Sequence, residues 1–138
     1  MSNKELWSKY TEGLHIEWPF SFSKKDLQLF SDLSNDFNPI HLETDFAKSK
    51  GFKAPLVHGL LLSSQMSRLI GQELPDNNAI LTSIKMDFIL PCFPEDKLIF
   101  EADLTNKSEA TYSLEFKCNI EMNGETLCRG MVSAIWRP

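Results

Sequence analysis

The stretch Gly59-Leu60-Leu61-Leu62-Ser63-Ser64-Gln65-Met66-Ser67-Arg68-Leu69-Ile70 constrains the fold more than any other part of the chain. Leu60, Leu61, Leu62, Met66, Leu69 and Ile70 cover much of the circumference of a helix. A helix that is apolar on most sides is stable only when other elements surround it. The material to surround it comes later in the chain, where segments near 79–90, 97–104, 111–122 and 125–136 read as four strands joined by short turns. The last two flank Asn123-Gly124, a strong signal for a two-residue hairpin turn. Phe88, Phe100, Phe116 and Trp136 supply aromatic bulk to a sheet face that could cover the helix. The expectation is an α+β fold with one long central helix against an antiparallel sheet.

The first half of the chain is shorter-grained. His15 to Phe22 alternates apolar and polar residues as a half-buried strand does, and Pro19 assigns it to a sheet edge or a bulge. Ser23 followed by Asp26 reads as an N-cap with an acidic third residue, and Leu27, Phe30 and Leu33 then recur at helical spacing. A second short helix is expected from Asp45, capped by Thr44 and stopped by Gly51. With 138 residues the chain is expected to form one domain spanning 1–138.

The net charge is −5 and no stretch concentrates Lys or Arg, which argues against a nucleic-acid surface. No apolar run approaches the ~20 residues that span a bilayer, and the N-terminus lacks the apolar core of a signal peptide. The chain therefore reads as soluble and cytoplasmic. Cys92, Cys118 and Cys128 have no metal-type spacing. If Asn123-Gly124 forms the hairpin loop, Cys118 faces Arg129 and Cys128 faces Asn119, which puts the two sulfurs on opposite sheet faces and predicts free thiols.

The chemistry centres on Ser34-Asn35-Asp36-Phe37-Asn38-Pro39-Ile40-His41. Asn38-Pro39 forces a turn, so Asp36 and His41 are offered from a stiff elbow. A carboxylate and an imidazole at fixed separation can hold one water and move its protons. Such a pair falls short of the usual ligand set of a catalytic metal, so no metal is expected. A second segment, Gly51-Phe52-Lys53-Ala54-Pro55-Leu56-Val57-His58-Gly59, leads directly into the apolar helix. Gly59, Ser63 and Ser67 lie on one narrow face of that helix, which either admits a ligand close to the backbone or packs on a strand.

The residues Phe22-Ser23, Asp36-Phe37-Asn38-Pro39-Ile40-His41-Leu42, Ala47, Phe52, Pro55, Val57-His58-Gly59, Leu74-Pro75, Phe88, Pro91 and Asp96 resemble the pattern of the MaoC-like, (R)-specific enoyl-thioester hydratases, which have the hot-dog fold. The resemblance runs from about Ser21 to Asp96. It implies a sheet wrapped around the helix and a hydro-lyase acting on a trans-2-enoyl or (R)-3-hydroxyacyl thioester of coenzyme A or acyl carrier protein. It gives Asp36 and His41 the catalytic dyad and needs no further cofactor. The Gly59 N–H, at a helix N-terminus, suits the oxyanion that develops on the thioester. Ser67 aligns with an active-site hydroxyl of some relatives, with Ser63 and Ser64 as competitors; Asn38 would brace the elbow, and His58 reads as structural, bonded to backbone near the helix start. Family members usually pair, so a homodimer or dimer of dimers is expected.

Some positions depart from the family pattern: Asn35 where Gly or a small or acidic residue is common, Asp76 where Gly is usual, Ile84 where Gln is frequent, and Pro94-Glu95-Asp96 in place of a Gly-Asp turn. Two other functions fit the fold: a thioesterase that aims water at the carbonyl carbon, and a non-catalytic acyl-binding or assembly subunit. The complete Asp-x-Asn-Pro-x-His element favours the hydratase.

Overall fold

The computed structural model describes residues 1–138. Five strands form one antiparallel sheet in the order β1-β3-β4-β5-β2: β1 His15–Phe20, β2 Ala79–Phe88, β3 Leu98–Ser108, β4 Ser113–Met122 and β5 Glu125–Trp136. Pro19 sits, as its missing N–H requires, on the edge strand β1. Asn123 and Gly124 both have positive φ, 52° and 80°, the geometry of a turn that matches the natural strand twist.

Four α-helices accompany the sheet: α1 Asn3–Ser8, α2 Lys24–Ser34, α3 Thr44–Ser49 and α4 Gly59–Arg68. A π-helical turn, Leu69–Glu73, extends α4. The core gathers Leu62, Met66, Leu69 and Ile70 of this long element with Phe100, Phe116, Ile120, Val132 and Trp136 of the sheet. Leu60 remains 68% exposed and Leu61 half-buried, because the sheet curls over one side of α4 within this chain. No helix is long and apolar enough to cross a membrane.

Local chemistry explains the helix boundaries. Ser23 Oγ accepts from the Asp26 N–H and Asp26 returns the bond to the Ser23 N–H, a reciprocal cap worth about 1 kcal/mol. Asn35, in the left-handed region at φ 61°, ends α2; Asn tolerates that conformation, so the departure from Gly costs little. α3 begins one residue earlier than expected, with Glu43 at the cap position and no side-chain cap bond, so Thr44 is helical. α1 carries a complete capping box, Ser2 with Glu5, and buries Trp7 beside Trp136 and Tyr10.

The β4–β5 register corrects the sequence expectation. The turn pairs Met122 with Glu125, but a bulge between Ile120 and Glu121 shifts the ladder by one residue. Cys128 then opposes Ile120 and Cys118 opposes Gly130. Both sulfurs face the core, not opposite faces, because the extra residue turns Leu127 and Cys128 inward together. Cys92, Cys118 and Cys128 are free and buried.

Candidate active site

The elbow is built by local hydrogen bonds. Asp36 Oδ1 accepts from the Asn38 N–H at 3.2 Å, and Asn38 Oδ1 accepts from the Ile40 N–H at 3.0 Å. Pro39 opens a single 3-10 turn, Pro39–His41, which carries His41 inward. Asn38 thus braces the elbow through its amide, as expected.

His41 is mostly buried and Asp36 about half exposed, with Nε2 and Oδ2 3.9 Å apart. That gap is too long for a direct hydrogen bond and short enough for one water to bond to both. His41 Nδ1 lies 2.8 Å from the Leu56 carbonyl oxygen. A carbonyl can only accept, so Nδ1 carries a proton, and whenever the ring is neutral its lone pair is on Nε2, on the Asp36 side. Leu56 fastens the elbow a second time, its N–H donating to the Ile40 carbonyl at 2.9 Å.

Three residues beyond Leu56, Gly59 opens α4. Its N–H meets no acceptor within the chain, as the first turn of a helix dictates. Gly59 and His41 line one cleft of about 380 Å³, whose other walls are mainly Phe52, Leu62, Phe88 and the segment Ile89–Cys92. That segment is pinned from both sides. The Leu127 carbonyl at the bulge accepts from Ile89 and Leu90, and the Cys92 carbonyl accepts from Val57. An apolar trough with one imidazole and one free N–H can hold an acyl chain while leaving a polar corner for reaction.

The small-residue face of α4 divides. A Cβ at Gly59 would come within 2.9 Å of the Phe88 ring, so strand β2 packs closely there. Ser63 is buried, donating to the Gly59 carbonyl at 3.1 Å and touching Met86 Sδ at 3.5 Å. Ser67 is exposed, about 12 Å along the helix from Gly59 at the usual rise per residue. Only the Gly59–Ser63 part of the face therefore packs against β2, and neither Ser63 nor Ser67 lines the cleft. The geometry pairs Asp36 with His41 across an elbow that Asn38 braces, and sets His41 and Gly59 on one cleft.

His58 differs from expectation. It bonds no backbone group near the helix start; its Nε2 lies 3.0 Å from Ser31 Oγ, its ring stacks on His41 with centroids 3.9 Å apart, and the Asp36 backbone acts on it. Burial is the main force holding its pKa below the ordinary histidine value, with His41 adding to that and Asp36 opposing it. Asp36, His41 and His58 place donor atoms within 4.8 Å of one another. Two stacked rings direct their lone pairs in near-parallel planes, and His41 Nδ1 is already committed. The trio suits proton handling better than a convergent metal cage.

Asp76, another departure, accepts from Trp136 Nε1 at 3.0 Å and from the Asn78 N–H at 2.8 Å, tying the loop before β2 to the end of β5.

Residues 8–123 match the family model described as MaoC like domain. The chain belongs to this MaoC-like family. Over 84 residues it is 40% identical to the (R)-specific enoyl-CoA hydratase of Aeromonas caviae, an alignment spanning 61% of this chain and 63% of that protein. Over 118 residues it is 30% identical to the mitochondrial 3-hydroxyacyl-[acyl-carrier-protein] dehydratase of Arabidopsis thaliana, covering 83% of this chain and 70% of that one. The solved (R)-hydratase from A. caviae involved in PHA biosynthesis superposes with a TM-score of 0.87 at 30% identity, over 93% of this chain and 98% of that one. The MaoC-like chain therefore has the hot-dog fold.

Proposed function

We propose that this protein is a hydro-lyase that adds water to a trans-2-enoyl thioester, or removes it from the (R)-3-hydroxyacyl thioester, with coenzyme A or acyl carrier protein as the thiol. The observation that carries this reading is the His41 ring, fixed through Nδ1 and offering Nε2 3.9 Å from Asp36 at the wall of an apolar cleft that also presents the Gly59 N–H. The names of the relatives, hydratases and dehydratases of acyl thioesters, support the same chemistry.

In this scheme Asp36 and His41 hold a water against the β-carbon of the substrate. The water oxygen bonds to that carbon as one of its protons passes to His41 Nε2. The double-bond electrons move toward the thioester oxygen, where the Gly59 N–H and the positive end of α4 stabilise the enolate. The proton then returns from the dyad to the α-carbon, and the imidazole is neutral again. Dehydration is the reverse sequence. The scheme uses no metal and no cofactor beyond the substrate's own thiol carrier.

A homodimer fits this reading. β2 lies at the sheet edge with Ile80, Leu81, Ile84 and Phe88 exposed, an apolar edge that a second copy would cover. A monomeric mass by light scattering at micromolar concentration would rule this out. A cytoplasmic setting agrees with three unpaired thiols.

The test is the loss of enoyl-thioester absorbance with crotonyl-CoA, then with longer chains and carrier-protein thioesters. Asp36→Asn and His41→Gln should each lower kcat by about 10²–10⁴ in a still-folded protein. Undiminished turnover in either variant, or no turnover by the unaltered protein on any of these thioesters, would overturn the proposal.

A further inference from the structure

We propose that His58 is a positioning residue: its buried ring, stacked on His41 and tied to Ser31, holds the His41 ring plane so that Nε2 faces Asp36. This deepens the hydro-lyase reading and rests on it for its catalytic meaning.

His41 is held to the fold through the Leu56 carbonyl, and one hydrogen bond fixes a direction but leaves the ring free to roll about it. The roll is what the stack removes. The His58 and His41 planes lie 22° apart with centroids 3.9 Å apart. Behind His58, Phe30 meets it edge-on at 4.8 Å, and the wholly buried Ser31 hydroxyl pairs with its Nε2. Phe30 and Ser31 are adjacent on α2, so the wall behind His58 is a helix, not a loop.

Two observations separate this arrangement from ordinary core packing. His58 occupies the cap position of α4 yet makes no capping bond, so its ring is turned to another use. It is 2% exposed and carries two ring nitrogens into the core, Nε2 on Ser31 and Nδ1 without a well-formed hydrogen bond although the Asp36 backbone acts on the ring, a cost that a packing residue such as Leu or Phe would avoid.

Charge points the same way. The titratable groups facing His58 are His41 and Asp36, while Phe30 and Ser31 are uncharged. Burial and His41 both favour its neutral form against the pull of Asp36, and the helix N-terminus disfavours a cation. A neutral neighbour lets His41 accept the water proton, whereas a charged one stacked against it would resist.

Three variants test this: His58→Ala removes the ring, His58→Phe keeps a flat ring without nitrogens, and Ser31→Ala removes only the hydroxyl behind it. The first readout is the His41 tautomer and its titration, followed by nitrogen-15 NMR of histidine-labelled full-length protein. The unaltered protein should show a single Nδ1–H tautomer at His41. His58→Ala should show a mixture, and His58→Phe should restore the single form. The second readout is crotonyl-CoA hydration. His58→Ala should lower kcat about tenfold to 100-fold with little change in KM, the loss expected when a reacting group is held out of line. His58→Phe should recover most of that loss. Ser31→Ala, which leaves the ring in place, should move tautomer and kcat in the same direction by less, and it decides the matter if His58→Ala fails to fold. An unchanged His41 tautomer in His58→Ala and Ser31→Ala, or His58→Phe no better than His58→Ala, would overturn the proposal. An unaltered protein inactive on every thioester would instead sink the hydro-lyase reading, and the tautomer measurement would still judge His58.

Discussion

Gly130 offers a sharp quantitative test of the sheet that carries the cleft. It pairs with Met86 of β2 on one side and Cys118 of β4 on the other. A Cβ there would overlap the Lys85 carbonyl oxygen and stand 2.8 Å from its carbonyl carbon and 2.9 Å from Met86 Cα. Carbon atoms rest at about 3.5–4.0 Å, so Gly130→Ala must push β2 outward by about 1 Å. Being an edge strand, β2 can move, but at the expense of ladder bonds around Met86. Two or three bonds at about 1 kcal/mol each amount to about 2–3 kcal/mol. A chain of this length has a stability of about 7–20 kcal/mol, so the variant should fold. Its Tm should fall by about 10 °C, measured by circular dichroism at matched concentration. Gly71→Ala is the control, because a Cβ at Gly71 meets nothing within 4 Å. It should melt at the same temperature as the unaltered protein or a few degrees above it, since Ala is favoured over Gly in a helical turn by up to about 1 kcal/mol. The displacement would also drag Phe88 from Gly59, so hydration by Gly130→Ala should weaken in step with the melt. A Gly130→Ala Tm matching that of Gly71→Ala would refute the reasoning.

Stability should depend on pH through two histidines acting in opposite senses. The hydrogen bond to Asp103, 2.7 Å from His15 Nδ1, raises the His15 pKa, so its contribution is full below the unfolded value near 6.5 and fades as pH rises through the folded value. Asp103→Asn should therefore lower Tm more at pH 5.5 than at pH 9, and a deficit that grows with pH would contradict this. Burial lowers the His58 pKa, so its neutral form supports folding above about 6.5 and that support is lost as pH falls through the folded value. The thiols should be slow in the native protein, since burial pushes Cys92 and Cys118 up to about 12 and Cys128 up to about 11. Unfolding without reductant should release three; one fast-reacting native thiol, or a single thiol on unfolding, would refute it.

What could be read from the sequence was what local chemistry dictates. The Asp36–His41 elbow, the Ser23 cap and the Asn123-Gly124 turn each depend on residues within a few positions of one another. The expected site residues that failed to reach the cleft, Ser63 and Ser67, share a helix face with Gly59 but lie one and two turns further along it. The β5 register failed for a related reason: a turn sets pairing only until a bulge intervenes. Adjacent apolar residues at Leu127 and Cys128 were the available sign, since strict alternation allows only one to point inward. α1 carries a capping signature in Ser2 and Glu5 but is too short, at six residues, for an apolar period to mark it. The Ser31–His58 contact joins residues 27 positions apart, and the Leu56 carbonyl acts through its backbone, so neither leaves a linear pattern.

Leu56 has a consequence for how such a protein can change. Its main chain secures His41 and the elbow beneath it, while Leu56 also lines the apolar cleft that the hydro-lyase proposal gives to the acyl chain. The two duties are chemically independent, because nearly any residue offers the same N–H and carbonyl. Substitutions at this position can therefore retune which chain lengths fit while the reactive geometry stays in place. Under the proposed activity, chain-length preference at this position is free to drift without passing through an inactive ancestor.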